Sequence, residues 1–228
     1  MMSTSFQFND ISWEVKRFGA TAWLVEPRNC KEILKNIHQL TNYLEQSSSN
    51  VIIDIIPAYN SIAIFLDKSS LSLIDVISDI QKKEVFNISE SPNTHIVKVC
   101  YELGLDWNVV TTHIGISKEA VIELHLQQKY EIAMMGFLPG FVFLEGMDAR
   151  ILVPRKENPR IAIPTGAVGI GGTQTGFYSL ESPGGWQIIG RTPDKYFDVH
   201  NNPPTYLQAG DAIVFERISE DEFHLLEK

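Results

Sequence analysis

Two arginines, Arg155 and Arg160, stand five residues apart in PRKENPRIAIP, each preceded by a proline. Proline fixes its own φ and pushes its predecessor toward extended angles, so both guanidiniums project from a stiff, non-helical backbone. A pair held that way can clamp a carboxylate or phosphate bidentately, or it can serve as two solvated charges on a turn. The residues that follow, Thr165 to Pro193, hold eight of the fifteen glycines of the chain. Glycine in a strand packs nothing and loses entropy, so this density points to special backbone angles or to a backbone that something approaches closely. A set of tight turns in a small barrel is the plainer reading. Gln174 and Thr175, set among these glycines, can hydrogen-bond an amide or urea-like group. Phe137 and Phe141 in GFLPGF and Trp186 in SPGGW can wall a pocket floored by backbone, or plug a core beneath turns.

Other chemistries are excluded or left open. A Walker loop needs Lys after its last glycine, and here Gly166 and Gly171 are followed by Gly172 and Thr173. The residues after Gly172 favour strand and turn, whereas a dinucleotide fingerprint opens a helix. What remains is a run of backbone N–H groups that can line an anion pocket. No G-x-S-x-G elbow is present, and the histidines fall in no metal-binding spacing, so no metal is expected. His125 lies four residues after Val121 on the apolar side of a helical segment; it is read either as a satisfied packing residue or as a catalytic group. Cys30 and Cys100 lie seventy residues apart outside any C-x-x-C, which suggests neither a disulfide framework nor a thiol metal site. Residue chemistry alone therefore describes a binding or partner-dependent module.

The elements that must position these residues have two textures. With 44% hydrophobic and 21% charged residues over 228 positions, the chain can bury one large core or two modest ones. ISWEVKRFG, TAWLVEP, VIIDIIPA and SIAIFL read as strands. Ile33, Leu34, Ile37, Leu40 and Leu44 share one helical face, as do Leu73, Val76, Ile77 and Ile80. With HIVKVCY closing the series and the first strand left out, the order is β-α-β-β-α-β, which predicts a ferredoxin-like α+β domain over residues 1–95. Residues 96–228 begin with a short helix in SKEAVIELHLQQ, capped by Ser117, and continue as short apolar runs between glycines and prolines, the pattern of a β-barrel or sandwich.

The net charge of −9 disfavours nucleic acid as a partner. Residues 150–195 nevertheless carry a local charge of +3, a cationic island suited to an anionic small ligand or acidic partner. MMSTSFQFND lacks the basic and apolar regions of a signal peptide, and no apolar run is long enough for a membrane span, so a cytoplasmic protein with no membrane partner is expected.

GFLPGFVFLEGMD, the PR…PRIAIPTGAVGIGGTQTGFY segment and SPGGWQIIGRTP resemble the family of allophanate hydrolase subunit 1, which includes the 5-oxoprolinase component PxpB and the sporulation-kinase inhibitor KipI. The resemblance covers essentially the whole chain and implies an N-terminal α+β domain and a C-terminal cyclophilin-like β-barrel. It also implies activity as one subunit of an ATP-dependent 5-oxoprolinase, with a KipA/PxpC-type companion and a LamB/YcsF-like subunit. ATP with Mg would then be bound at the level of the complex, and no cofactor by this chain alone. Two other family roles stay open: inhibition of a histidine kinase, and a carboxyltransferase component acting on urea or allophanate. Residue by residue, the match implies catalytic roles for His125, Gln174 and Arg160. Substrate contacts are implied for Phe137, Pro139, Gly140 and Phe141; for Arg155, Pro164, Gly166, Thr175 and Tyr178; and for Ser182, Pro183, Gly184, Gly185, Trp186 and Arg191. Thr165, Gly172 and the segment YELGLDWN depart from the family pattern, the last putting a loop beside the barrel in question.

Overall fold

Alternation of apolar and polar residues builds the first sheet. The computed structural model describes residues 4–47, 49–68, 71–83 and 92–227, and these divide into two compact units, residues 1–91 and 92–228. In the first, strands β1 (Thr4–Phe8), β2 (Ile11–Arg17), β3 (Ala22–Pro27), β4 (Ile52–Pro57) and β5 (Ile62–Leu66) form one antiparallel sheet in the order β1-β2-β3-β5-β4. Trp13 and Val15 on β2 and Ile62, Ile64 and Leu66 on β5 point to the same buried side, as a period of two requires. Helices α1 (Ile33–Gln46) and α2 (Leu73–Lys83) close that side with the stripes read from the sequence, Ile37, Leu40 and Leu44 on one and Leu73, Ile77 and Ile80 on the other. Ile33, at the start of the first stripe, remains exposed.

The ferredoxin-like reading is correct only in part. Strand β5 lies between β3 and β4, as in a split β-α-β unit. The remaining place beside β3 is taken by β2. The strand expected there, β6 (Thr94–Val99), belongs to the second unit, where it pairs in parallel with β14 (Ala212–Arg217) from Thr94↔Ala212 to Val99↔Arg217. A strand's apolar pattern marks it for burial without saying in which sheet.

The second unit is a curled seven-stranded sheet. Its other strands are β7 (Lys129–Met135), β8 (Val142–Glu145), β10 (Ala167–Gly171), β11 (Gln174–Phe177) and β13 (Gln187–Arg191), in the order β13-β10-β11-β8-β7-β14-β6. The two edges meet at a single bridge, where Cys100 and Arg191 exchange backbone hydrogen bonds of 2.8 and 3.0 Å. Curling brings Val97, Ile132, Leu144, Ile170, Phe177, Ile189 and Ile213 into one core. A separate ribbon of β9 (Arg160–Ile163) and β12 (Ser182–Gly184) carries parts of the PR…PR and SPGGW segments.

Among the described residues, three α-helices accompany this sheet. Ser117 caps α4 (Lys118–Leu126) as expected, accepting from the Ala120 N–H. Helix α3 (Trp107–Ile114) was not predicted: WNVVTTHI is rich in β-branched residues of low helix propensity, and the helix is held by packing and by a left-handed Gly115 at its end. Helix α5 (Glu220–Leu226), capped by Ser219, follows the last strand.

Candidate functional site

A groove of about 400 Å³ opens on the second unit, within the size range of small-molecule sites. Its floor is aromatic. Phe141 meets Tyr178 edge-on at 4.8 Å and Trp186 at 5.4 Å, and Phe137 and Phe143 extend the wall. Pro159, Pro183, Gly184 and Gly185 complete the lining, and Arg155 and Lys156 stand at the lip. Arg155 lies 5.7 Å over the Trp186 ring and donates to Gln174 Oε1 at 3.2 Å. Burial pushes the Tyr178 hydroxyl up, outweighing the Trp186 backbone and the two nearby guanidiniums of Arg155 and Arg160, so it stays a neutral donor.

One wall of the groove is strained. Phe137 has φ +69°, a left-handed conformation that is costly for a bulky side chain. Its ring is nevertheless 64% exposed, so packing against a core does not explain the strain. Strain of this kind gathers at functional sites.

The glycines answer to packing. A Cβ on Gly171 would overlap the Trp186 indole, and one on Gly176 would overlap the Val142 carbonyl oxygen and crowd the same ring. The β10 and β11 backbones thus make room for Trp186, which is how so large a side chain reaches 4% exposure under the groove. Their N–H groups are taken too: β10 and β11 pair with each other, Gly172 donates to Val153, and Gly166 to Tyr178. This segment is therefore no phosphate cradle, and among the described residues it does not fit ATP.

Of the residues singled out from sequence, Phe137, Phe141, Arg155, Tyr178, Pro183, Gly184, Gly185 and Trp186 come together in the groove, with Gln174 beside them. Lys156, Pro159 and Phe143 were missed, although the first two lie inside the PR…PR segment and Phe143 follows Phe141 on the same face of a strand.

The others are elsewhere. His125, read as catalytic, is wholly buried inside the curled sheet. Thr175 donates its hydroxyl proton to the Gly169 carbonyl oxygen at 3.0 Å, so His125 Nε2 donates to Thr175 Oγ1 at 2.9 Å and Nδ1 accepts from Tyr101 at 2.8 Å. Both ring nitrogens are satisfied and Phe215 stacks on the ring at 4.5 Å. Burial lowers the pKa of His125 to about 3, so it is a neutral core residue and no acid or base for a ligand. Thr175 is sealed in with it.

Arg160, read as a clamp, does clamp a carboxylate, but that of Asp106: its two terminal nitrogens reach the Asp106 oxygens at 2.6 and 2.7 Å. Arg191 donates to Thr165 and pairs with Glu227 at 2.7 Å, away from the groove. Pro164 and Gly166 make a turn in which the Gly166 carbonyl accepts from Thr192. Pro139 accepts from Ser179, Gly140 is held left-handed against Phe197, and the buried Ser182 hydroxyl donates to Pro183. These residues shape the loops without lining the site.

Comparison with known proteins gives consistent results. The family described as "Carboxyltransferase domain, subdomain C and D" matches residues 13–207. The 5-oxoprolinase B subunit of Bacillus subtilis is 37% identical over 233 aligned positions, which cover 94% of this chain and 96% of that protein. Among solved structures, a conserved uncharacterized protein, PH0987 from Pyrococcus horikoshii, is 38% identical with a TM-score of 0.56, covering 92% of this chain and 99% of the other. TTHA0988 superposes with a TM-score of 0.76 at 29% identity over 87% of this chain, which spans only 40% of the length of that protein.

Proposed function

This chain belongs to the carboxyltransferase subdomain C and D family, among the 5-oxoprolinase B subunits and allophanate hydrolase subunit 1 proteins, and from that premise we propose that it is the B subunit of a 5-oxoprolinase. Its part in the complex is to hold 5-oxoproline, a small ring with one amide and one carboxylate, while the lactam is opened to glutamate.

The groove carries this reading. Its aromatic floor suits the apolar faces of a five-membered ring, and the two cations at its lip suit a carboxylate. Arg155 is the better placed of them, since Arg160 is committed to Asp106 and Lys156 shares that carboxylate. Among the described residues the groove is lined by aromatic rings, prolines, glycines and two cations, with no Ser, Cys, His, Asp or Glu side chain. The chain is in this account a binding half-site, completed by a KipA/PxpC-type companion and a LamB/YcsF-like subunit. ATP with Mg is read as bound at the level of the complex; the glycine-rich segment of this chain does not fit it, and no step through the nucleotide is assigned to this chain. The barrel is read as cyclophilin-like, a statement about shape and not about prolyl isomerase activity.

The test is subtraction. Co-expression with the companion subunits should yield ATP-dependent glutamate from 5-oxoproline that vanishes when this chain is omitted. Full turnover without it would refute the proposal. Subunit-name similarity favours the oxoprolinase over the kinase inhibitor, and binding of a histidine kinase is the assay to run if no combination turns over.

A further inference from the structure

The groove's lip has a hidden anchor. Asp106 precedes helix α3 at its N-cap, where an aspartate usually accepts from the first turn, yet its side chain makes no capping bond. The carboxylate instead turns inward and is 3% exposed. It accepts from both terminal nitrogens of Arg160 at 2.6 and 2.7 Å, from Lys156 Nζ at 3.0 Å, and from the Ile188 N–H at 2.7 Å. Its own N–H donates to the Ile188 carbonyl, which locks it to β13 from both directions. Burial alone would raise the pKa of this carboxyl, but Arg160, the Ile188 N–H and Lys156 together hold it below the usual range.

These bonds converge on the segment that presents Arg155. On one side of Arg155, the Pro154 carbonyl accepts from Gln187; on the other, the Lys156 N–H donates to Gly185. The Lys156 and Arg160 side chains then tie the rest of the PRKENPR turn to Asp106. Arg155 itself is exposed, hydrogen-bonds Gln174 and lies over the Trp186 face. Its position over the groove is therefore inherited from its neighbours.

We infer that Asp106 is the positioning residue for substrate binding, acting through Lys156 and Arg160 to hold Arg155 over the aromatic groove. This rests on the reading of the groove as the 5-oxoproline site. An aspartate that neither lines the groove nor meets the ligand thus sets substrate affinity. The departing segment YELGLDWN, which puts Asp106 there, is a support of the site.

The experiment is a double-mutant cycle in the co-purified complex, reading KM and kcat for 5-oxoproline. Arg155→Ala alone tests the groove, with KM expected to rise about tenfold, the worth of one charge-assisted hydrogen bond. Asp106→Asn keeps the shape and an acceptor oxygen but removes the charge; it should raise KM about tenfold with kcat within about twofold. Combined with Arg155→Ala it should add nothing, because it acts through Arg155. A normal KM for Asp106→Asn beside a raised KM for Arg155→Ala would overturn the positioning role and leave the groove standing. Additive effects in the double variant, or loss of co-purification with the partners, would overturn it as well. A normal KM for Arg155→Ala would remove the groove reading itself. If Asp106→Asn fails to fold, Arg160→Gln breaks the same tie from the exposed side and must show the same dependence on Arg155.

Discussion

The interior of the curled sheet around His125 and the groove above Trp186 lie on opposite faces of strands β8 and β11, yet they obey opposite rules. Inside, each polar atom of His125 and Thr175 is matched: ring nitrogens to hydroxyls, hydroxyl to carbonyl. At the groove, the exposed Phe137 ring stands beside a floor of packed aromatic rings, and the Arg155 guanidinium reaches over Trp186. Gln174 and Thr175 are neighbours on β11 that point to opposite sides, one to the lip and one to the core. A sealed, fully matched polar cluster is a device of structure, and a solvent-accessible apolar groove with a cation at its edge is a device of binding.

Four substitutions separate the two regions, from the largest effect down. Gly176→Ala forces a Cβ into the Val142 carbonyl oxygen and toward Trp186, damaging core and groove together. It should cost about 4 kcal/mol or more, or leave the protein insoluble, as judged by chemical denaturation. A stable Gly176→Ala protein would mean that the two layers are less tightly coupled than the packing shows.

His125→Asn removes the ring that joins Tyr101 to Thr175, with an expected loss of about 3 kcal/mol and little change in KM. The pH dependence is a sharper test. His125 is neutral in the fold, with its pKa lowered from 6.5 to about 3 by burial. Between those values the unfolded chain binds a proton that the folded chain excludes, so stability should fall as pH falls, by about 1.4 kcal/mol per pH unit. In His125→Asn this contribution to the slope disappears. An unchanged slope would show that His125 is not the buried neutral group described.

Arg155→Ala should do the reverse, raising KM for 5-oxoproline about tenfold while stability moves by less than about 0.5 kcal/mol. Phe137→Gly is the smallest and the most diagnostic. Relieving a left-handed Phe should stabilise the chain by about 1 kcal/mol, while removal of a groove wall raises KM a few-fold, about threefold. Thermal melting and initial-rate kinetics on one preparation would show whether the two signs oppose.

Much of this was legible in the sequence, for reasons that also explain the errors. Period-two and helical patterns placed β2, β5, α1 and α2, because each buries one face on a neighbour nearby in the chain. Strand β6 was placed in the wrong sheet because its partner, β14, lies more than a hundred residues away. The aromatic and arginine signals at Phe137, Phe141, Arg155 and Trp186 found the groove. The glycines were noticed for the right property, close approach, with the wrong visitor: the indole of Trp186 in place of a ligand. Asp106 was invisible as a site residue because its partners, Lys156, Arg160 and Ile188, are fifty or more positions distant.

The central claim is that substrate sits against Phe137 and Trp186. It is tested most directly by placing a cysteine at Phe137 in a Cys30→Ser background, where Cys100 is buried, and measuring maleimide labelling in the assembled complex. Saturating 5-oxoproline should slow labelling at position 137 severalfold, while a control cysteine at the exposed Val199 keeps its rate. Equal rates at position 137 with and without 5-oxoproline would contradict the account.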